Sequence, residues 1–238
     1  MPKSRQMRLS ERHVAYLQPT EISEDMPDPP EGMYRATEAD HRATIARLMA
    51  EIEDPGEIWF FAYGSLIWKP ACEFVEMRTG IVRGWHRAFC LGWLHAWRAS
   101  QATPGLMLAL DRGGACKGVA YRLPPDAVEE NLIKLFEREM AWLPPSFPPR
   151  WVNVRSGDKT IRAITFCIDR NAGRYVSGLS DEDIADVLSR AVGSRGSMAD
   201  YLFSTVSHLE QLGIHDPHLW RLQSLVAGRI EAVYEPDR

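Results

Sequence analysis

Between Ile58 and Leu123 the chain is dominated by runs of aromatic and β-branched residues, whereas from Ser180 to the end its apolar residues recur at helical spacing. A chain that places strand formers first and helix formers later buries both most simply as an α+β domain, with helices laid against a curved or barrel-like sheet. The strand signals fall at Ile58 to Tyr63, Arg78 to Leu94, Leu106 to Leu110 and Cys116 to Leu123. Asp111-Arg112-Gly113-Gly114 reads as a hairpin turn joining the last two. A helix is expected from about Asp126 to Met140, then a proline cluster at Pro144 to Pro149. A second hairpin follows from Trp151 to Cys167, turning at Ser156-Gly157-Asp158. The terminal helices should run from a Ser180 cap to about Val192, from Ser197 toward Leu212, and from Asp216-Pro217 to about Val233.

Upstream of the strands, residues from Met1 to about Gly32 are polar and interrupted by Pro27, Pro29 and Pro30, which suggests an extended arm. Thr37 to Glu53 carries helical spacing, with Thr37 as N-cap, Ile45, Leu48 and Met49 as one face, and Asp54-Pro55-Gly56 as a stop. The expected division is therefore an arm with an ancillary helix over 1–56 and a main domain over 57–238.

A length of 238 residues with 45% hydrophobic content suffices for a sizeable core. The net charge of -4, with no long basic run, gives no electrostatic footing for nucleic acid. Cys72, Cys90, Cys116 and Cys167 sit singly in apolar segments, the pattern of buried free thiols in a reducing compartment. The first residues contain no apolar signal core, and no stretch approaches eighteen uncharged apolar residues. The expectation is a cytoplasmic protein that neither enters nor crosses a membrane and acts on a small molecule.

One side chain conflicts with its position. On the helix from Asp126 to Met140, Val128, Leu132 and Leu135 form a stripe, and Glu139 falls in the middle of it. Glu129, Glu130 and Glu137 project off the stripe as ordinary solvated charges. Burying a carboxylate is costly unless it is paired or its pKa shifts, a cost tolerated where chemistry needs it. On pattern alone two readings stay open: a functional carboxylate, or a frayed helix end whose Glu139 turns to solvent or pairs with a neighbouring arginine.

Tyr63-Gly64-Ser65-Leu66, directly after a strand, is a second candidate. Glycine there permits backbone conformations closed to other residues, and successive free N–H groups can cradle an anionic oxygen. The same residues also fit an ordinary strand-ending turn. Ser65 lies in no GxSxG elbow, so a serine hydrolase has little support. His86, His95, His208, His215 and His218 show no metal-ligand spacing, and no GxGxxG or GxxxxGK[ST] is present. No metal and no nucleotide cofactor is implied.

Five ordered blocks resemble the ChaC family of γ-glutamylcyclotransferases. They are Trp59-Phe60-Phe61-Ala62-Tyr63-Gly64-Ser65-Leu66-Ile67-Trp68, Gly80 through Cys90, Pro104-Gly105, Gly118 through Pro124, and Arg138-Glu139-Met140. The similarity continues through Gly196 to Ser204, including Tyr201-Leu202-Phe203, and covers about residues 58 to 230. The resemblance implies a mixed β-barrel with flanking helices. It also implies a cavity that holds a γ-glutamyl group between the turn Tyr63, Gly64, Ser65, Leu66, Ile67, Trp68 and one catalytic glutamate, here Glu139. Tyr201 joins the substrate-binding residues by the same resemblance. The implied reaction converts glutathione to 5-oxoproline and cysteinylglycine, with no metal, flavin or nucleotide required.

Three departures from the family pattern are apparent. Leu106 stands where many relatives have arginine, Ala141 through Phe147 replaces a short glycine-containing stretch ending in tyrosine, and Met198 stands in place of an expected asparagine. Each substitutes an apolar group for a polar one, which bears on the leaving portion of the substrate. Glutathione is the default; a cyclotransferase for another γ-glutamyl amine and a non-catalytic metabolite-binding regulator are the alternatives. The oligomeric state is not encoded in any visible pattern.

Overall fold

The computed structural model describes residues 6–19, 27–52 and 56–236. In chain order the elements are α1 (Glu11–Ala15), β1 (Tyr34–Arg35), α2 (Glu38–Ala50), β2 (Trp59–Ala62), β3 (Glu76–Leu94), β4 (Gly105–Arg122) and α3 (Val128–Glu139). They continue as β5 (Trp142–Leu143), β6 (Pro149–Ser156), β7 (Lys159–Phe166), α4 (Asp181–Leu188), β8 (Val192–Gly193), β9 (Gly196–Ser197), α5 (Met198–Gln211) and α6 (Pro217–Tyr234). Two units are formed, one within residues 28–88 and 108–175, the other within 1–27, 89–107 and 176–238.

The first unit is built on a closed barrel in the order β2-β4-β3-β6-β7. It is mixed, as expected, because β2 closes the barrel by running parallel to β7 while its pairing with β4 is antiparallel. Alternation sends Trp59 and Phe61 inward with Leu110, Cys116, Ala120, Val152, Val154, Ile161, Ala163 and Cys167, and these make the barrel's interior. The β6–β7 hairpin turns where expected: Ser156 pairs with Lys159, and Gly157 takes φ 58°.

The hairpin expected at Asp111 to Gly114 does not form. Chain reversal does not occur there, and β4 continues through it as one strand. Gly113 and Gly114, with φ of 104° and 64°, spend their conformational freedom on a kink within the strand, as glycine bulges do. Asp111 is held outside the turn role by the Arg170 guanidinium at 2.7 Å and the Tyr175 hydroxyl at 3.0 Å.

The helix α3 buries Leu132, Leu135 and Phe136 completely, and Phe136 meets Phe166 of β7 edge-on at 5.6 Å between ring centroids. The helix α2 packs beside it. Thr37 caps α2 through the Asp40 N–H, Ile45 and Leu48 are buried, and the His41 ring nitrogen lies 3.2 Å from the Met140 carbonyl at the end of α3. Of the stop expected at Asp54-Pro55-Gly56, Asp54 and Pro55 lie outside the described residues.

The second unit contains α1, α4, α5 and α6. Ser180, Ser197 and Asp216 each cap a helix as their positions suggest, and Pro217 occupies the first turn of α6. The N-terminal residues differ from the extended arm read from the sequence. Leu9, His13 and Leu17, four residues apart, are all buried, and the Leu9 N–H donates to the Gln223 side chain on α6 at 2.8 Å. That spacing puts three side chains on one face around the short helix α1, which outweighs the polar composition of the segment. Among the described residues no helix is long and apolar enough to cross a membrane.

Candidate active site

The turn that follows β2 is fixed from several directions. Its last strand residues, Phe61 and Ala62, are buried, and the Thr165 hydroxyl on β7 donates to the Phe61 carbonyl at 2.7 Å. Arg87 on β3 is itself buried and donates from Nε to the Tyr63 carbonyl at 2.6 Å and from Nη2 to the Lys117 carbonyl at 2.7 Å. Residues Ser65–Ile67 then form one 3-10 turn, with the Ile67 N–H bonded to the Gly64 carbonyl at 2.9 Å. On its far side the Tyr121 hydroxyl lies 3.2 Å from the Ile67 carbonyl, and burial pushes that phenol up to about 12. The N–H groups of Gly64, Ser65 and Leu66 meet no backbone carbonyl among the described residues. Gly64 has φ -133° and ψ -132°, so left-handed backbone is not what selects glycine there.

Glu139 closes the last turn of α3, and the helix does not fray before it; Met140 is the C-cap. Its side chain keeps 20% of its surface exposed. Burial raises its pKa above the ordinary 4.5, while the adjacent Arg138 pulls it down. The two readings left open by the sequence meet in one geometry: the carboxylate is mostly buried, and Arg138 Nε stands 3.2 Å from its Oε1. Glu129, Glu130 and Glu137 are exposed, as their positions on the helix require.

Arg138 does more than flank Glu139. Its Nη2 donates to the Ser65 hydroxyl at 2.9 Å and its Nη1 to the Lys69 carbonyl, so one guanidinium joins the carboxylate to the turn. A planar fork with several fixed donors suits this bridging better than an ammonium would. Asn131, fully buried one helical stretch earlier, accepts from the Glu73 N–H at 2.6 Å and ties the chain beyond the turn to the same helix.

The family model described as ChaC-like protein matches residues 58–229, most of the chain. The chain belongs to the ChaC-like family. It is 43% identical over 178 residues to the glutathione-specific gamma-glutamylcyclotransferase of Escherichia coli (strain K12), covering 74% of this chain and 76% of that protein. It is 28% identical over 200 residues to glutathione-specific gamma-glutamylcyclotransferase 1 of Mus musculus, covering 78% and 85% of the two chains. A crystal structure of a gamma-glutamyl cyclotransferase specific to glutathione from yeast shares the fold, with a TM-score of 0.65 at 20% identity over 72% of this chain and 96% of that one.

Within this ChaC-like chain the structure brings Tyr63, Gly64, Ser65, Leu66, Ile67 and Trp68 to the end of the helix that carries Glu139. Tyr201 is placed differently. It lies on α5 in the second unit, buried, with its ring centroid 6.4 Å from that of Phe89 and the Arg98 guanidinium 5.9 Å over its face. Leu106 and Met198 are fully buried in that unit, while Phe147 packs edge-on against Phe166 at 5.8 Å in the barrel unit. Arg87, Tyr121 and Arg138 were not singled out by the sequence, although all three lie inside the ChaC-like blocks. The readable signal was Arg87, a charge set between Trp85 and Phe89 in an apolar strand.

Proposed function

We propose that this protein is a γ-glutamylcyclotransferase that converts glutathione to 5-oxoproline and cysteinylglycine, with Glu139 as its acid/base. The observation that carries this reading is the mostly buried Glu139 carboxylate, joined through Arg138 to the Ser65 turn. In a γ-glutamyl peptide the α-amino group attacks its own γ-carbonyl carbon and closes a five-membered lactam. Glu139 takes a proton from the attacking ammonium, a C–N bond forms, and negative charge develops on the carbonyl oxygen. The old amide C–N bond then breaks as Glu139 gives that proton to the departing nitrogen, and the second proton, lost from the ring nitrogen to Glu139, leaves on the released amine. The base must be ionised at the start and yet basic enough to accept a proton, which suits a carboxylate whose pKa is raised by burial.

The N–H groups of Gly64, Ser65 and Leu66 would face the developing oxyanion, with Tyr63, Ile67 and Trp68 lining the site. For Tyr201 the family resemblance alone supports a role in substrate binding. The cyclotransferase domain would span 57–238, with 1–56 as an appended segment. A cytoplasmic location fits glutathione as the substrate, and no nucleic acid or membrane partner is invoked.

A second substrate reading rests on the resemblance: Leu106 stands where many relatives have arginine, and Met198 in place of an expected asparagine. Without polar groups at those positions, the leaving amine could be other than cysteinylglycine. Rates of 5-oxoproline release from glutathione and from other γ-glutamyl amines, measured side by side, test both. Glutathione should be the best donor; a larger kcat/KM for another donor would reassign the substrate, and release from none would remove the enzymatic reading.

A further inference from the structure

Arg150 opens the inner run of β6, opposite Thr165 of β7. Val152 and Val154, two and four residues on, belong to the barrel interior, and strand alternation sends Arg150 to the same face. Trp151 takes the outer face, where its indole N–H donates to the Leu48 carbonyl of α2 at 2.9 Å. The fully buried thiol of Cys167, an interior residue, is pushed up to about 12 by burial, against a pull from the Arg150 charge. Position, alternation and this electrostatic contact therefore agree on where the guanidinium points.

The end of the barrel it occupies is the end that carries the turn. The parallel pairing of β2 with β7 sets Trp59 beside Ala163 and Phe60 beside Ile164, so Phe61 and Tyr63 continue level with Thr165 and Cys167. Tyr63 packs against the interior residues. Arg87 and Arg138 are already engaged there, the first with the Tyr63 and Lys117 carbonyls, the second with Ser65, Lys69 and Glu139. Arg150 differs. Its side chain makes no hydrogen bond or ion pair among the described residues, and although the residue is only partly buried, its Nε is enclosed without a partner. A buried N–H left without an acceptor carries a cost that an arriving anion would offset.

We propose that Arg150 binds the α-carboxylate of the γ-glutamyl unit. This rests on the cyclotransferase reading above and deepens it. The α-carboxylate and the attacking amine share one carbon, so anchoring the carboxylate inside the barrel mouth directs the amine back toward the γ-carbonyl. It also leaves the N–H groups of the turn to the oxyanion. A planar guanidinium meets a carboxylate with two parallel hydrogen bonds, which fixes orientation as well as position.

The test is calorimetric titration, on a Glu139→Gln background that suppresses turnover, of the protein with Arg150 intact, Arg150→Met and Arg150→Lys, with three ligands: glutathione, its glycine ethyl ester, and 5-oxoproline. All three retain the α-carboxylate, and only glutathione keeps the second carboxylate free. Arg150→Met should weaken all three by about 10- to 150-fold, the range of a hydrogen-bonded charged group, with Arg150→Lys intermediate. Ligand-free Arg150→Met should melt at the wild-type temperature or higher, because a buried N–H without an acceptor has been removed. Weakening confined to glutathione would assign Arg150 to the other carboxylate and overturn the proposal. So would binding by Arg150→Lys at undiminished strength combined with a lowered melting temperature of Arg150→Met, which would make the arginine structural. Absence of binding with Arg150 intact would overturn it with the cyclotransferase reading. If the ligands bind through Arg150 but wild type yields no 5-oxoproline from glutathione, the reaction fails while this assignment stands.

Discussion

At the scale of single residues, the proposal that Glu139 is the acid/base ties stability to catalysis through one proton. Its native pKa lies above the ordinary 4.5 because burial disfavours the charged form more than Arg138 favours it. The folded protein therefore binds that proton more tightly than the unfolded chain does. The group's contribution to stability is intact below pH about 4.5 and is lost as pH rises through the raised native pKa. Glu139→Gln is neutral throughout, so its denaturation midpoint relative to wild type should climb across that window and level off above it. Midpoints that track each other at every pH would mean that the carboxylate is solvated. Kinetically the sign is the reverse, since the base works ionised: kcat/KM of wild type should fall on the acid side at a pH above the ordinary carboxylate value. A limb at or below that value would argue against Glu139 as the base.

At the scale of elements, the site depends on α3 holding its register against the chain around the turn. Asn131 is the clearest single tie, since removing its side chain leaves the Glu73 N–H without its 2.6 Å acceptor. Asn131→Ala should cost about 1 kcal/mol in chemical denaturation, as expected for the loss of a part-buried hydrogen bond. A loss below about 0.5 kcal/mol would show that water replaces the bond. The elements were also where the sequence was most and least legible. The amphipathic stripe that located α3 also located Glu139, and the cap residues Thr37, Ser180, Ser197 and Asp216 marked four helix starts, because capping is local chemistry. Asp111 to Gly114 misled because two glycines with positive φ suit a bulge as well as a turn, and only pairing across the sheet distinguishes them. The burial around α1 was hidden for a similar reason: three apolar or aromatic faces spaced through a polar segment mean little until α6 is there to receive them.

At the scale of the whole molecule, the barrel and its mixed pairing were foreseen through family resemblance, while strand-first, helix-later order supplied only the α+β class. The bridging role of Arg138 and the inward aim of Arg150 were not legible, since both depend on which strand end lies beside which helix end. The α2 segment lies outside the family match, yet the His41 ring nitrogen meets the Met140 carbonyl beside Glu139, so α2 supports the helix that carries that carboxylate. Among the described residues no three His, Cys, Asp or Glu side chains gather as a metal site, and intramolecular attack by an amine requires none. Turnover should therefore survive exhaustive chelation; loss in chelator with recovery on added zinc would require a different chemistry. The decisive measurement is the initial rate of 5-oxoproline release from glutathione by wild type and Glu139→Gln in parallel. Wild type should turn over and the variant should fall by roughly two to four orders of magnitude, the usual contribution of a general acid–base group, with glutathione affinity largely kept. A Glu139→Gln protein that releases 5-oxoproline at the wild-type rate would contradict the assignment of Glu139 as the proton shuttle.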